Sequence, residues 1–255
     1  LGMEVRGVAL ASVIAEFAGL AVGGAFAAAE LSKRGGNVAL GRLARLRDYR
    51  DFLAVNTNLF IRTMALMFAI AFVTARGARM GELILAANAI MMNFQNLTAF
   101  ALDGIAHAAE ALVGKAIGAR DRRALASAVR LCLKWSLLFA GAFCLLYAVA
   151  GPLLIAALTD LGAVRSAALT YLPWMVISPL VSVWSFVYDG VYIGATRSRE
   201  MRNVMLIATF GVFMPAWWLL QDLGNHGLWL AFLLFLAARG VGMHLGYRRA
   251  VLDTV

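Results

Sequence analysis

Apolar residues in this chain come in long uninterrupted runs, not in the one-face or alternating patterns of a water-soluble domain. A membrane crossing needs about 20 mostly apolar residues. Seven windows meet that length, at residues 7 to 30, 56 to 75, 83 to 114, 125 to 150, 164 to 194, 202 to 220 and 226 to 247. Period-two alternation is lacking, so the runs predict membrane helices and no transmembrane strands. The third and fifth runs exceed one straight crossing and should tilt, bend or project, with Pro173 and Pro179 as kink sites in the fifth. The pattern predicts an all-α integral membrane protein with seven transmembrane helices.

Composition agrees. Of 255 residues, 62% are hydrophobic and 15% charged, which is more apolar surface than one soluble core can hide. The formal net charge is +9, yet the basic residues gather in the connections between apolar runs. That distribution points to membrane topology and away from a nucleic-acid partner. Sixteen of them fall on one side, Arg42, Arg45, Arg120, Arg122, Arg199 and Arg248 included, against four on the other: Arg6, Arg76, Arg79 and Arg165. Because cytoplasmic loops retain Lys and Arg, this predicts a multi-pass protein of the cell (inner) membrane with a cytoplasmic C-terminus and residue 1 on the outer side.

The chain opens with Leu1, and its first residues lack the basic leader of a signal peptide, so it reads as the C-terminal part of a longer protein. Within residues 42 to 55, Leu43, Leu46, Tyr49 or Arg50, and Leu53 recur at helical spacing among charged residues. This suits either an amphipathic helix at the cytoplasmic headgroups or a solvated basic loop. Cys132 and Cys144 lie about 18 Å apart along one helix, beyond disulfide reach, and read as packing residues.

Ionisable groups at bilayer depth cost several kcal/mol unless paired or wetted. In the third run Asn96, Asp103, His107, Glu110 and Gly114 share one side of the helical wheel. In the fifth, Ser178, Ser182, Ser185 and Asp189 share a face with Tyr188 beside it. Two such stripes are expected to face each other or to line a wet cavity. Asp103 and Asp189 either handle protons, cations or substrate, or make interhelical hydrogen bonds. His107 and Glu110 lie nearer the cytoplasmic end, where Lys115 and Arg120 can satisfy them. Arg62 in the second run and Glu16 in the first are further candidates for charge pairing, and Arg239 is expected to pair or to snorkel. The His107-x-x-Glu110 order superficially suggests a metal site, but a di-iron bundle needs several Glu and Glu-x-x-His helices and only one helix here is equipped. No nucleophile elbow, phosphate-binding loop or zinc-spaced Cys/His set is present, so no enzyme and no metal site are expected.

Two segments carry a resemblance. Residues 101 to 118 (ALDGIAHAAEALVGKAIG) and 188 to 203 (YDGVYIGATRSREMRN) resemble the eighth and tenth helices of multidrug and toxic compound extrusion (MATE) transporters, closest to the DinF-like branch. Family members hold twelve helices in two six-helix lobes facing a central cleft. On that template residues 1 to 31 are the last helix of a truncated N-terminal lobe, 32 to 55 the cytoplasmic inter-lobe linker, and 56 to 255 a complete C-terminal lobe. The resemblance implies a secondary active exporter that extrudes amphiphilic or cationic compounds by proton- or cation-coupled antiport with alternating access. Its partners would be the bilayer, its substrates and the missing N-terminal lobe, and it needs no cofactor.

Asp103, His107 and Glu110 on the matched eighth helix and Asp189 on the tenth would face the C-lobe side of the cleft. Tyr188, Ser185, Asn96 and Arg62 are the remaining pathway candidates. Other branches place a coupling acid on the seventh helix, and none stands between Asn56 and Ala75. A proton is therefore favoured over sodium. Gly104, Gly114, Gly190 and Gly194 resemble close-packing positions. Two readings compete: a lipid-linked sugar flippase of the same superfamily, which would need many cationic cleft residues, and a non-transporting seven-helix scaffold or receptor.

Overall fold

A computed structural model describes residues 4 to 34 and 49 to 254. They are helical throughout and contain no strand, as the unbroken apolar runs dictate. The chain forms two compact units, residues 1 to 50 and 51 to 255. The first contains α1 (Glu4–Arg34), whose large apolar side chains Phe17, Leu20 and Phe26 are exposed. The second contains α2 (Arg50–Arg79), α3 (Glu82–Gly118), α4 (Arg122–Leu158), α5 (Gly162–Gly194), α6 (Ser198–Leu206), α7 (Met214–Leu220) and α8 (Gly224–Ala250). Residues 35 to 48, which include the first half of the expected amphipathic segment at 42 to 55, lie outside the described residues; from Arg50 onward that segment is the start of α2.

Six segments among the described residues are long and apolar enough to cross a membrane, where seven were expected, because residues 198 to 250 form a single near-continuous helical stretch. That stretch is not straight. Gln221–Leu223 tightens into a 3-10 turn, and Gly224 follows in the left-handed region at φ 57°. The Phe213 ring then lies 5.8 Å from that of Phe235. In a straight helix residues so far apart in sequence would be separated by about 30 Å. The chain folds back closely enough for a Cβ at Gly227 to strike the Leu220 carbonyl oxygen, so only glycine fits there.

Ahead of this turn, Ile207–Phe213 is π-helical, with the Met214 N–H bonded to the Thr209 carbonyl, five residues back. Pro215, which has no N–H to give and whose ring crowds the carbonyl four residues earlier, follows this segment at the start of α7. By contrast α4 continues through Pro152, and α5 through Pro173 and Pro179.

Short connections let α4 pack against both of its sequence neighbours, α3 and α5. Gly81 turns the chain between α2 and α3 at φ 109°. The ends of α3 and α5 are closed alike: Asp121 N–H reaches the Ala116 carbonyl at 3.0 Å, and Arg197 N–H the Tyr192 carbonyl at 2.9 Å. Each closure puts a non-glycine residue, Arg120 or Thr196, at positive φ. Asp121 then caps α4, its side chain accepting from the N–H groups of Arg123 and Ala124 at 2.9 Å each.

The second unit has two apolar clusters stacked along its helices. One is built around Met91, Phe94, Tyr147, Phe213, Trp229 and Phe235. The other is built around Leu102, Leu125, Val183, Val187, Tyr192 and Met201. Polar side chains mark the junction: the Ser178 hydroxyl donates to Gln95 Oε1, and Thr98 and Tyr147 hydroxyls meet at 2.9 Å. Within the first cluster Asn88 and Asn225 exchange two amide hydrogen bonds of 2.8 Å, and Trp229 Nε1 donates to Asn88 at 2.9 Å. Such pairing satisfies amides that would otherwise be costly to bury.

The most extensive helix contact is between α3 and α5. Gly190 and Gly194, one turn apart, let α5 approach the α3 backbone until a Cβ at Gly190 would overlap the Ala106 carbonyl and one at Gly194 would lie 3.0 Å from Glu110 Cα. Gly114 makes ordinary contact with the Gly194 carbonyl, at 3.5 Å. Gly104 was expected to pack closely and does not; nothing lies within 4 Å of its Cβ position. Replacing Gly190 by alanine should therefore destabilise the detergent-solubilised protein by about 1–3 kcal/mol, whereas Gly104→Ala should change stability by less than ~0.5 kcal/mol. Thermal or denaturant unfolding followed by circular dichroism measures both, and equal effects would show that the close approach is not limiting.

Candidate functional site

The charged centre of the second unit forms where α2, α3, α5 and α8 come together. Asp189 on α5 is buried, and its Oδ2 accepts a hydrogen bond from Arg62 Nη2 on α2 and a second, of 2.8 Å, from Arg239 Nη2 on α8. Arg239 is 3% exposed and packs its guanidinium over the Phe235 ring at 5.5 Å. Arg62 keeps more solvent access, with 16% of its side chain exposed. Asp103 on α3 is half-buried and within electrostatic range of Asp189, Arg62 and Arg239. Two guanidiniums and two carboxylates thus offset each other's charge at the junction of the apolar clusters.

Local sequence explains the convergence. Asp189 immediately precedes Gly190, so the turn that presents the carboxylate also brings α5 against α3. On α8 a Cβ at Gly240 would lie 2.8 Å from Trp184 Cβ, so the residue after Arg239 holds α8 close to α5. Arg62 lies one turn before Ala65, where the apolar, buried stripe of α2 begins, and reaches Asp189 with its long side chain.

The structure brings Asp103, Asp189 and Arg62 together and sets the other predicted residues apart. His107 is exposed and faces Glu110, Nδ1 to Oε2 at 3.5 Å, in place of the expected partners Lys115 and Arg120. Asn96 is exposed and lines a crevice of about 340 Å³ shared by α2 and α3, with Thr74, Asn88 and Asn93. Ser185 is buried and donates to the Ser182 carbonyl of its own helix at 2.8 Å. Tyr188, one residue before Asp189, points elsewhere, and its hydroxyl meets His244 Nδ1 at 2.6 Å. Of the two arrangements expected for the stripes, direct facing is not the one observed: that of α3 is open at Asn96 and His107, and that of α5 is buried at Ser178, Ser182 and Ser185. Helical-wheel angles give a residue's direction but not the neighbour it meets.

Arg239 completes the triad and was expected only to pair or snorkel. Its signal in the sequence is an arginine well inside an apolar run, which is rarely tolerated without a carboxylate partner. The lone acid deep in the fifth run was that partner. No group of three or more metal-ligating side chains occurs among the described residues.

Helices of this length, the glycine-mediated α3–α5 contact and the buried charge cluster define a multi-pass membrane protein, and comparison places it. The MatE family model matches residues 58 to 219, and the chain belongs to the MATE family. It is 42% identical over 249 residues to DNA damage-inducible protein F of Escherichia coli (strain K12), covering 98% of this chain and 54% of that protein. The chain thus spans about half the length of this relative. The bent form of the Vibrio cholerae MATE transporter VcmN superposes with a TM-score of 0.80 at 19% identity, over 99% of this chain and 57% of that one. A transporter of the MOP superfamily from Pyrococcus furiosus, described as having a binding pocket of reverse polarity, matches with a TM-score of 0.67 at 16% identity, over 78% of this chain and 44% of that one.

Breaking a buried ion pair on one side costs more than removing the pair. Asp189→Asn should therefore destabilise the protein by about 3–5 kcal/mol, with two guanidiniums left facing each other, and adding Arg239→Met should recover ~1 kcal/mol or more. Unfolding midpoints of the wild type, both single variants and the double variant measure this coupling. Strict additivity would show that the triad is not an energetic unit.

Proposed function

We propose that this chain forms the C-terminal lobe, and the last helix of the N-terminal lobe, of a secondary active exporter that expels amphiphilic or cationic compounds across the inner membrane by proton-coupled antiport. The observation that carries this reading is the Arg62–Asp189–Arg239 triad with Asp103 beside it, in a chain of the MATE family. Charged groups inside a membrane bundle are costly and mark a functional pathway by default. Asp189 is committed to two arginines and serves as the fixed pivot. Asp103 keeps solvent access and lies close enough to sense the triad, so it is the group assigned to take up and release the coupling proton.

In this reading the helical stretch from residue 198 to 250 crosses the membrane twice, its turn at Gln221–Gly224 on the outer side. That gives seven crossings and a cytoplasmic C-terminus. The exposed Asn96 and His107 of α3 and the half-buried Glu110 then border the cleft that faces the N-terminal lobe. The flippase alternative calls for an excess of cationic cleft residues; the two deep arginines here are instead engaged by a single carboxylate. The scaffold alternative accounts for the triad as a structural tie but gives no role to Asp103 beside it.

The test uses this lobe within its complete transporter. Asp103→Asn should leave membrane abundance unchanged and lower proton-driven efflux of a fluorescent cationic substrate about tenfold, equivalent to ~1.4 kcal/mol of lost coupling. Arg62→Lys should retain partial activity, because the charge remains while the fork geometry is lost. Unchanged efflux in Asp103→Asn at equal abundance would overturn the assignment.

A further inference from the structure

Apart from the triad, a crevice of about 440 Å³ lies between α4 and α8 at the end of the bundle where the basic connections gather. Val129, Leu133 and Leu245 give it an apolar wall, while Arg130, Arg248 and Tyr247 supply polar groups. The arginines are exposed, and no carboxylate is among the lining residues. The Tyr247 hydroxyl is buried with no hydrogen-bond partner among the described residues, and Arg122 and Arg130 act on it electrostatically. The other lining tyrosine, Tyr188, is already engaged by His244. Beside the crevice the chain end is tethered by the Arg122–Asp253 ion pair of 2.9 Å, with Leu252 packed at its edge.

The surroundings identify the occupant. On α4, Leu131, Trp135 and Leu138 are exposed, and on α8, Val241 and Leu245; these are lipid-facing surfaces. An occupant must therefore offer an anion to two arginines and a chain to the apolar wall. A free phosphate satisfies the first requirement only, and a neutral lipid the second only. A zwitterionic headgroup brings an ammonium that two arginines repel. We infer that this crevice binds an anionic phospholipid of the leaflet at the basic end of the bundle, its phosphate between Arg130 and Arg248 and its acyl chain along Val129, Leu133 and Leu245.

The site is tested with the delipidated chain in detergent, titrated with phosphatidylglycerol or phosphatidylcholine, counting retained lipid by native mass spectrometry. Phosphatidylglycerol should be retained about tenfold more tightly than phosphatidylcholine. Arg130→Gln with Arg248→Gln should abolish that preference. Arg123→Gln with Arg249→Gln, an equal charge loss at exposed positions that do not line the crevice, should preserve it. Tyr247→Phe should weaken phosphatidylglycerol retention about threefold at an unchanged unfolding midpoint. Equal lipid retention by the two double variants overturns the inference. So does displacement of the lipid by millimolar glycerol 1-phosphate or inorganic phosphate, which assigns the arginines to a soluble anion.

Discussion

A carboxylate withdrawn from water must find cations, and a guanidinium buried to the extent of Arg239 must find an anion. Asp189 answers both demands and ties α2 and α8 to α5 in doing so. Each of these helices could rotate or slide while still burying an apolar face, because lipid tails and apolar side chains are nearly equivalent surroundings. Charge pairing does not permit that freedom. The triad fixes the register of three helices that hydrophobicity alone leaves undetermined.

The glycines after Asp189 extend the constraint to the fourth helix. With Gly190 and Gly194 against the carbonyl row of α3, α5 touches its neighbour backbone to backbone, and Asp103 is carried to the edge of the triad. One short segment of α5 therefore specifies both the electrostatic and the steric contacts of the centre. The stacked apolar clusters above and below exclude alternative partners for these charges.

Much of this was legible in the sequence. Run lengths give the helices, since no other backbone form survives in lipid, and the order of residues in 101 to 118 and 188 to 203 gives the family. Asp103, Asp189 and Arg62 were each recognisable as polar groups at bilayer depth. What a single sequence does not encode locally is who meets whom. Arg62 and Asp189 are 127 positions apart, and their pairing follows from topology. Tyr188 neighbours Asp189 in sequence, yet a helix turns by about 100° per residue and sends it to His244. The π segment was hidden for another reason: Pro152, Pro173, Pro179 and Pro215 look alike in the sequence, yet of the four only Pro215 follows a π-helical turn.

The contrast between backbone contact at α3–α5 and side-chain contact at α2 has a mechanical meaning. Apart from its small-residue contacts, such as that of Gly77 with Asn88, α2 holds to the bundle through extended groups: Arg62 to Asp189, Asn58 to Arg202 and Ser198, and Phe72 to Phe213 and Trp217. Long side chains pivot at little cost, whereas a carbonyl seated on a glycine has no slack. Under load α3 and α5 travel together as a stiff spar, and the compliance of the assembly resides in α2, the first helix of its unit.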